Sequence, residues 1–282
     1  MNETTVKPAK SGLQQRALTA LVLAPLAVLG VLKLPTGGFA LALAAVFAIG
    51  LWEWSAMAGC HARWQRGLFV LMNLLVIAWL WTAAAQSLRI ALGIGLGFWL
   101  LVPIWLRCFE FAHGDQRGAV TLKLLAGSLA VVPAWSAGVY LHGSSHRGAF
   151  WVLFLLVLIW CADVFAYLCG RQFGRRKLAP RISPGKTWAG VYGAFGGAIL
   201  YAWAGASLLG LAGSARWSVL ALAALTVAFS IIGDLFESLI KRHAGCKDSG
   251  QLFPGHGGVF DRFDSLFAAL PVFTAGLIWL HL

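Results

Sequence analysis

Charged residues are scarce in this chain: they make up 11% of its 282 residues, against roughly 25% in an average soluble domain. That shortage excludes an ordinary soluble enzyme. Acids are scarcer still, ten against twenty-two Lys plus Arg, which leaves a formal charge of +12. In a soluble protein such a surplus points to nucleic acid. Here long apolar stretches separate the basic residues, so they cannot form one folded face with stacking aromatics. Nucleic acid is excluded as a partner, and anionic membrane lipid takes its place. The five cysteines, at 60, 108, 161, 169 and 246, form no CxxC pair and no even framework. This excludes a disulfide scaffold and reads as reduced, structural thiols. There is also no internal repeat and no low-complexity linker.

What the chain has instead is apolar length. Hydrophobic residues make up 60% of it, and a bilayer crossing needs about 20 of them in a row. Nine segments qualify, at 17–34, 39–57, 67–85, 88–106, 120–141, 149–169, 188–212, 217–240 and 265–282. The fold expected is an all-α, polytopic integral membrane protein of about nine transmembrane helices. The first segment follows a basic tail (Lys7, Lys10, Arg16) and runs into Lys33 and Pro35 without a small-residue cleavage site. It is expected to remain as a helix rather than to be removed as a signal peptide.

Positively charged connections stay on the cytoplasmic side. With the N-terminus inside, eighteen of the twenty-two Lys and Arg fall on inner connections, and only Lys33, Arg89, Arg147 and Arg216 fall outside. The expectation is an N-in, C-out protein of the plasma (bacterial inner) membrane. By composition, residues 1–150 form helical scaffold and 151–282 carry the chemistry. Six of the ten acids lie from Asp163 onward, as do both long polar connections, 170–187 and 241–264, each assigned to the cytoplasm. Glycines at 190, 193, 196 and 197 recur at helical spacing, read as close helix packing rather than ligand contact.

An ionisable group inside an apolar segment costs several kcal/mol unless it faces protein or water. Three stand out. Glu53, between Trp52 and Trp54, is near the cytoplasmic end of the second segment and within reach of the interface or a partner Arg; a structural role is the preferred reading. Asp163 opens a stripe with Tyr167 and Arg171, for which a functional and an ion-pair role are equally open. Asp234 shares a helix face with Ser238 and Lys241, at i+4 and i+7, and Glu237 lies near the edge of that stripe. A transporter could use such a stripe as an ion path, and a phosphate-transfer enzyme could put Asp234 on a metal and Lys241 on a phosphate oxygen.

The segment KRHAGCKDSGQLFPGHGGVFDRFDS that follows is too polar and too rich in Gly and Pro to be helical throughout. It reads as a structured loop in which Lys247, Asp248, His256 and Arg262 mix both signs. Asp261 and Asp264, at i and i+3, present two carboxylates together if a helix starts there. From Ser238 to Asp264 the pattern S-L-I-K-R-x4-K-D-S-G-x2-F-P-G-H-G-G-V-F-D-R-F-D resembles the full signature of the phosphatidate cytidylyltransferase (CDP-diacylglycerol synthase) family. The likeness continues upstream through Gly233-Asp234-Leu235, the D-V-F-A-Y stretch at 163–167, and Ile182 to Gly190. The first 150 residues resemble the family only in hydrophobicity and helix count. Gly185 departs from it, standing where many relatives carry a second lysine, which puts one phosphate contact in doubt.

The resemblance implies transfer of the cytidylyl group of CTP to phosphatidic acid, with magnesium as cofactor and a second, monovalent cation left open. It points to Asp234 and Asp261 as the foremost metal ligands, with Asp264 and Asp248 as further ligands to a metal or its waters. Lys241, Arg242, Lys247 and Arg262 would screen phosphate charge, Ser183, Lys186 and Thr187 would meet the nucleotide, and Ser238 would bind phosphate or a metal-bound water. His256 counts with the catalytic residues and Asp163 with the substrate contacts. A homodimer is left open.

Two patterns are decoys. Gly185-Lys186-Thr187 imitates the end of a P-loop, but the earlier glycine would fall at Pro180 and no strand is expected before it. His243, Cys246 and His256 imitate a zinc site that lacks a fourth ligand of the usual kind. Rival functions are a transporter built around Asp163 and Asp234, and another CTP-dependent lipid enzyme such as a polyprenol kinase or an archaeal-type CDP-lipid synthase. The full signature argues against both. The charge asymmetry itself is testable: a single cysteine in the 241–264 loop of a Cys-free variant should resist an impermeant thiol reagent added outside intact cells. Labelling from outside would overturn the N-in assignment.

Overall fold

The computed structural model describes residues 12–83, 85–252 and 257–282. Among these, nine helices follow one another: α1 (Gly12–Lys33), α2 (Thr36–Met57), α3 (Arg63–Thr82), α4 (Ala85–Arg107), α5 (Arg117–Gly143), α6 (Gly148–Phe173), α7 (Trp188–Leu208), α8 (Gly213–His243) and α9 (Phe260–Leu280). Eight of them are long and apolar enough to cross a membrane; in α1 the described apolar stretch is the shorter Leu21–Lys33. The chain is a multi-pass membrane protein of all-α type. Lys7 and Lys10 and the Arg16 side chain, which anchor the topology argument at the N-terminus, lie outside the described residues.

Two boundaries differ from expectation, and both bear on the site. Helix α8 is 31 residues long and runs to His243, so Lys241 and Arg242 are helical rather than part of the loop. Helix α9 starts at Phe260, which places Asp261 and Asp264 in its first two turns. The all-α description also acquires a small exception: between α6 and α7, β1 (Lys177–Ala179) and β2 (Ser183–Thr187) pair as an antiparallel hairpin. A strand therefore does precede α7, contrary to the expectation. Gly185, Lys186 and Thr187 lie within β2 itself instead of in a loop cradling phosphate, so the P-loop likeness remains superficial.

The main core is a hydrophobic cluster from Val31 in α1 to Leu277 in α9, a second small one joins Ile182 of the hairpin to Leu235 and Leu239 of α8, and the most extensive helix pairs are α6 with α7 and α8 with α9. Small residues explain the first pair. A Cβ on Gly193 would lie 2.6 Å from both the Cys169 Cβ and the Phe165 carbonyl oxygen, and one on Gly197 would lie 2.6 Å from the Phe165 ring, whereas at Gly196 nothing lies within 4 Å. Gly193 and Gly197 therefore bring the two helices together, and Gly196 does not take part. Gly193→Ala should destabilise the purified protein by about 1–3 kcal/mol through overpacking, while Gly196→Ala should be neutral or stabilise it by up to about 1 kcal/mol through helix propensity. Thermal unfolding in detergent separates the two.

Candidate active site

The last turns of α8 and the first of α9 carry most of the charge, and a close helix approach brings them together. At Gly233 a Cβ would come within 2.6 Å of the Asp264 carbonyl oxygen, so only glycine lets α8 lie this near α9. In consequence Asp234, Glu237 and Asp264 each direct a carboxylate oxygen to one spot, all within 4.8 Å of one another. Glu237 is 1% exposed, and its Oε1 is buried without a hydrogen-bond partner. Three carboxylates so placed repel one another unless a cation compensates them. An all-oxygen set of this kind suits a hard metal ion.

Two lysines flank the group. Lys186 of β2 forms an ion pair with Asp234, and Ser238 Oγ lies 3.4 Å from Asp234 Oδ1. Lys241 Nζ donates at 2.7 Å to both Glu237 Oε2 and Asp261 Oδ1. Asp261 is further held through Oδ2, which accepts from the Ser249 N–H and the Gly258 N–H, each at 2.8 Å. Asp261 and Asp264 share the start of α9 but go to different partners: Asp264 joins the carboxylate group and Asp261 closes on Lys241. A helix turns 100° per residue, so a three-residue step leaves about 60° between the two directions, enough to separate them here.

Beside the carboxylates a cavity of about 320 Å³ is lined by Asp163, Tyr167, Arg171, Lys186, Thr187 and Asp234, together with small residues of α6 and α7 such as Ala166, Gly170, Gly190 and Ala194. Four charged side chains thus share the lining with apolar and small residues. The hairpin that delivers Lys186 is fixed at both ends. Arg242 Nε donates to the Ile182 carbonyl at 3.1 Å, and Thr187 caps α7 by accepting from the Gly190 N–H at 3.2 Å.

The residues singled out in the sequence thus separate into groups. Asp163, Lys186, Thr187 and Asp234 share the cavity, with Ser238 beside Asp234 and Asp264 among the carboxylates. Asp261 and Lys241 are engaged with each other, while Arg242 and the Thr187 hydroxyl hold backbone. Ser183 starts β2 and does not line the cavity. Lys247 and Asp248 sit on the exposed turn after α8, and Arg262 is exposed on the first turn of α9. His256 lies outside the described residues. The zinc likeness weakens further: His243 Nε2 is 2.6 Å from the Phe109 carbonyl, and burial raises the Cys246 thiol above its ordinary pKa, away from the thiolate that zinc needs.

Two residues noted in the sequence without a site role take part in the arrangement. Glu237 had a signal, standing at i+3 from Asp234 and i−4 from Lys241. Glu53 fits the structural role preferred for it, with backbone rather than an Arg as its main partner: its carboxylate accepts from Ser249 Oγ at 3.0 Å, the Val259 N–H at 3.0 Å and the Phe260 N–H at 2.8 Å.

Residues 14–279 match the model of the cytidylyltransferase family. The chain belongs to that family. The match runs through all nine helices, so family membership includes the first 150 residues, where sequence reading found likeness only in hydrophobicity and helix count. A relative from Pseudomonas aeruginosa named phosphatidate cytidylyltransferase is 39% identical over 267 residues, covering 95% of this chain and 97% of the relative. One of the same name from Haemophilus influenzae is 36% identical, covering 93% and 97%. A third so named, from Brucella abortus, is 47% identical over 129 residues, 46% of this chain and 47% of its own length.

Within the family fold Lys241 has a definite electrostatic duty. Lys241→Met would leave Glu237 and Asp261 without their shared counter-charge, and breaking a buried pair costs about 3–5 kcal/mol. A fall in thermal stability of the detergent-purified variant is the expected outcome. Stability equal to wild type would remove Lys241 from this role.

Proposed function

We propose that this chain transfers the cytidylyl group of CTP to the phosphate of phosphatidic acid, releasing pyrophosphate and leaving CDP-diacylglycerol in the membrane. The observation that carries the reading is a cavity lined by both charged and apolar residues, set where helices of a membrane protein meet their polar connections. A substrate with a phosphate head and acyl tails fits such a space. Membership of the cytidylyltransferase family and the names of the Pseudomonas and Haemophilus relatives support the same reaction.

In that reaction an ionised phosphate oxygen of phosphatidate attacks the α-phosphorus of CTP. A new P–O bond forms as the bond to the bridging oxygen of the β-phosphate breaks, and the electron pair leaves on pyrophosphate. The nucleophile is already deprotonated at neutral pH, so no protein base is required, and what the site must supply is charge compensation and in-line placement. Lys186 supplies positive charge at the cavity and holds Asp234 in place. Asp234, Glu237 and Asp264 would hold magnesium, whose chemistry there is neutralisation of phosphate charge; the orphaned Glu237 Oε1 supports that fit. Asp261, first proposed as a ligand, serves better as the partner that fixes Lys241. Asp163 and Arg171 face the same cavity and are assigned to substrate contact.

CTP is a cytoplasmic solute, and this agrees with an N-in, C-out arrangement in the bacterial inner membrane that puts the 241–264 loop inside. The transporter reading has no comparable support, since the family match and the named relatives point to cytidylyl transfer.

Pyrophosphate release by the purified protein with CTP, phosphatidate and magnesium tests the proposal, and omission of any one should stop it. Asp234→Asn should lower turnover at least about 100-fold, because loss of several kcal/mol of charge compensation is felt at the reacting phosphates. Turnover that ignores phosphatidate, or an Asp234→Asn protein near wild-type activity, would refute it.

A further inference from the structure

We infer that Glu53, on α2 and outside the half of the chain that bears the other site residues, is a positioning residue for the reaction proposed above. It holds Ser249 and the start of α9 so that α9 presents Asp261 and Asp264 in register with α8. The inference rests on that functional reading only for its effect on turnover.

Helix α9 has no side-chain cap of its own: Val259 at its N-cap makes no such bond. The first N–H groups of a helix have no partner within it and need an acceptor from elsewhere. Glu53, 206 and 207 residues distant, accepts from Val259 and Phe260. Gly250 and Gly258 both lie close against it, since a Cβ on either would overlap the Glu53 carboxylate. The adjacent Trp54 prevents α2 from turning away: its indole N–H donates to the Lys123 carbonyl at 2.8 Å, and its ring lies 4.9 Å from that of Phe260.

The contacts lead directly into the site. Ser249 Oγ lies 3.0 Å from Glu53 Oε2 and 2.9 Å from Asp261 Oδ2, so its single proton serves one carboxylate at a time. Asp261 in turn holds Lys241, and Lys241 holds Glu237. Glu53, Ser249, Asp261, Lys241 and Glu237 form one unbroken polar chain from α2 to the carboxylate group. A residue that only filled space at this point would have no reason to end in such a chain.

The test compares Glu53→Gln, Ser249→Ala and the double variant with wild type, purified in detergent. Glu53→Gln keeps the volume but sets an NH2 group against N–H donors. It should lower kcat about 10–100-fold, the range found for outer-shell partners of metal ligands, and raise the half-saturating magnesium concentration while leaving KM for CTP near wild type. Ser249→Ala should shift the same quantities less, and the double variant should fall short of the product of the two because they act through one chain. Independently of activity, tryptic cleavage after Lys247 should be faster in Glu53→Gln. A drop in melting temperature with kcat, magnesium requirement and cleavage rate unchanged would make Glu53 a packing residue and overturn the inference. Should Glu53→Gln not fold, Ser249→Ala decides alone by the same readings. Should wild type itself fail to consume CTP, the functional reading falls, and the cleavage rates still judge whether Glu53 holds Ser249 and the start of α9.

Discussion

The contact on which the site depends is the double ion pair of Lys241 with Glu237 and Asp261. It joins the end of α8 to the start of α9 across a polar segment that has little apolar area of its own to bury. Both acids are nearly inaccessible, and neither would be tolerated ionised in that position without the ammonium between them. Once Lys241 takes one oxygen from each, Asp261 Oδ2 is left to the backbone of 249 and 258 and Glu237 Oε1 is left buried without a hydrogen-bond partner. The geometry of the carboxylate group is thus a by-product of how Lys241 is satisfied.

The α6 and α7 side of the cavity is set by a different force. Where α8 and α9 are joined by charge as well as by the close approach at Gly233, α6 and α7 are joined by close approach at Gly193 and Gly197, and the hairpin between them is fastened to α8 by Arg242 and to α7 by the Thr187 cap. Lys186 reaches Asp234 from that hairpin, so the two packing modes meet at one ion pair. A lipid-facing helix pair and a polar loop are held in register without any large polar surface between them.

Much of this was legible in the amino-acid order. The apolar segments declared themselves because a bilayer demands about 20 such residues per crossing, and Asp234 stood out because charge is costly there. The hairpin was hidden, since SPGKT has neither alternation nor β-branched runs, only a terminal Thr; it forms because its neighbours hold it. Glu53 showed its burial but not its partners, which lie some 200 residues away and are mostly backbone N–H groups that any sequence supplies. The division of labour between Asp261 and Asp264 depended on the rotation of α9 about its axis, a quantity fixed by packing at Gly233 and by Phe260 against Trp54. Glu237 was legible by spacing at the edge of the stripe with Ser238 and Lys241, but its meeting with Asp264 was not, because that depends on how α9 packs on α8.

The length of α8 has one more consequence. Its 31 residues span about 46 Å at 1.5 Å per residue, well beyond a hydrocarbon core of about 30 Å. With the opposite hydrocarbon boundary at Gly213, Asp234 comes at about 31 Å along the axis, where a core of about 30 Å gives way to headgroups. A membrane phosphate is met there at its natural level, and its acyl chains need not leave the oil, a move that would cost about 0.8 kcal/mol for each methylene exposed. Substrate and product can therefore arrive and depart by sideways diffusion in the leaflet, and only the water-soluble reactants have to cross the surface.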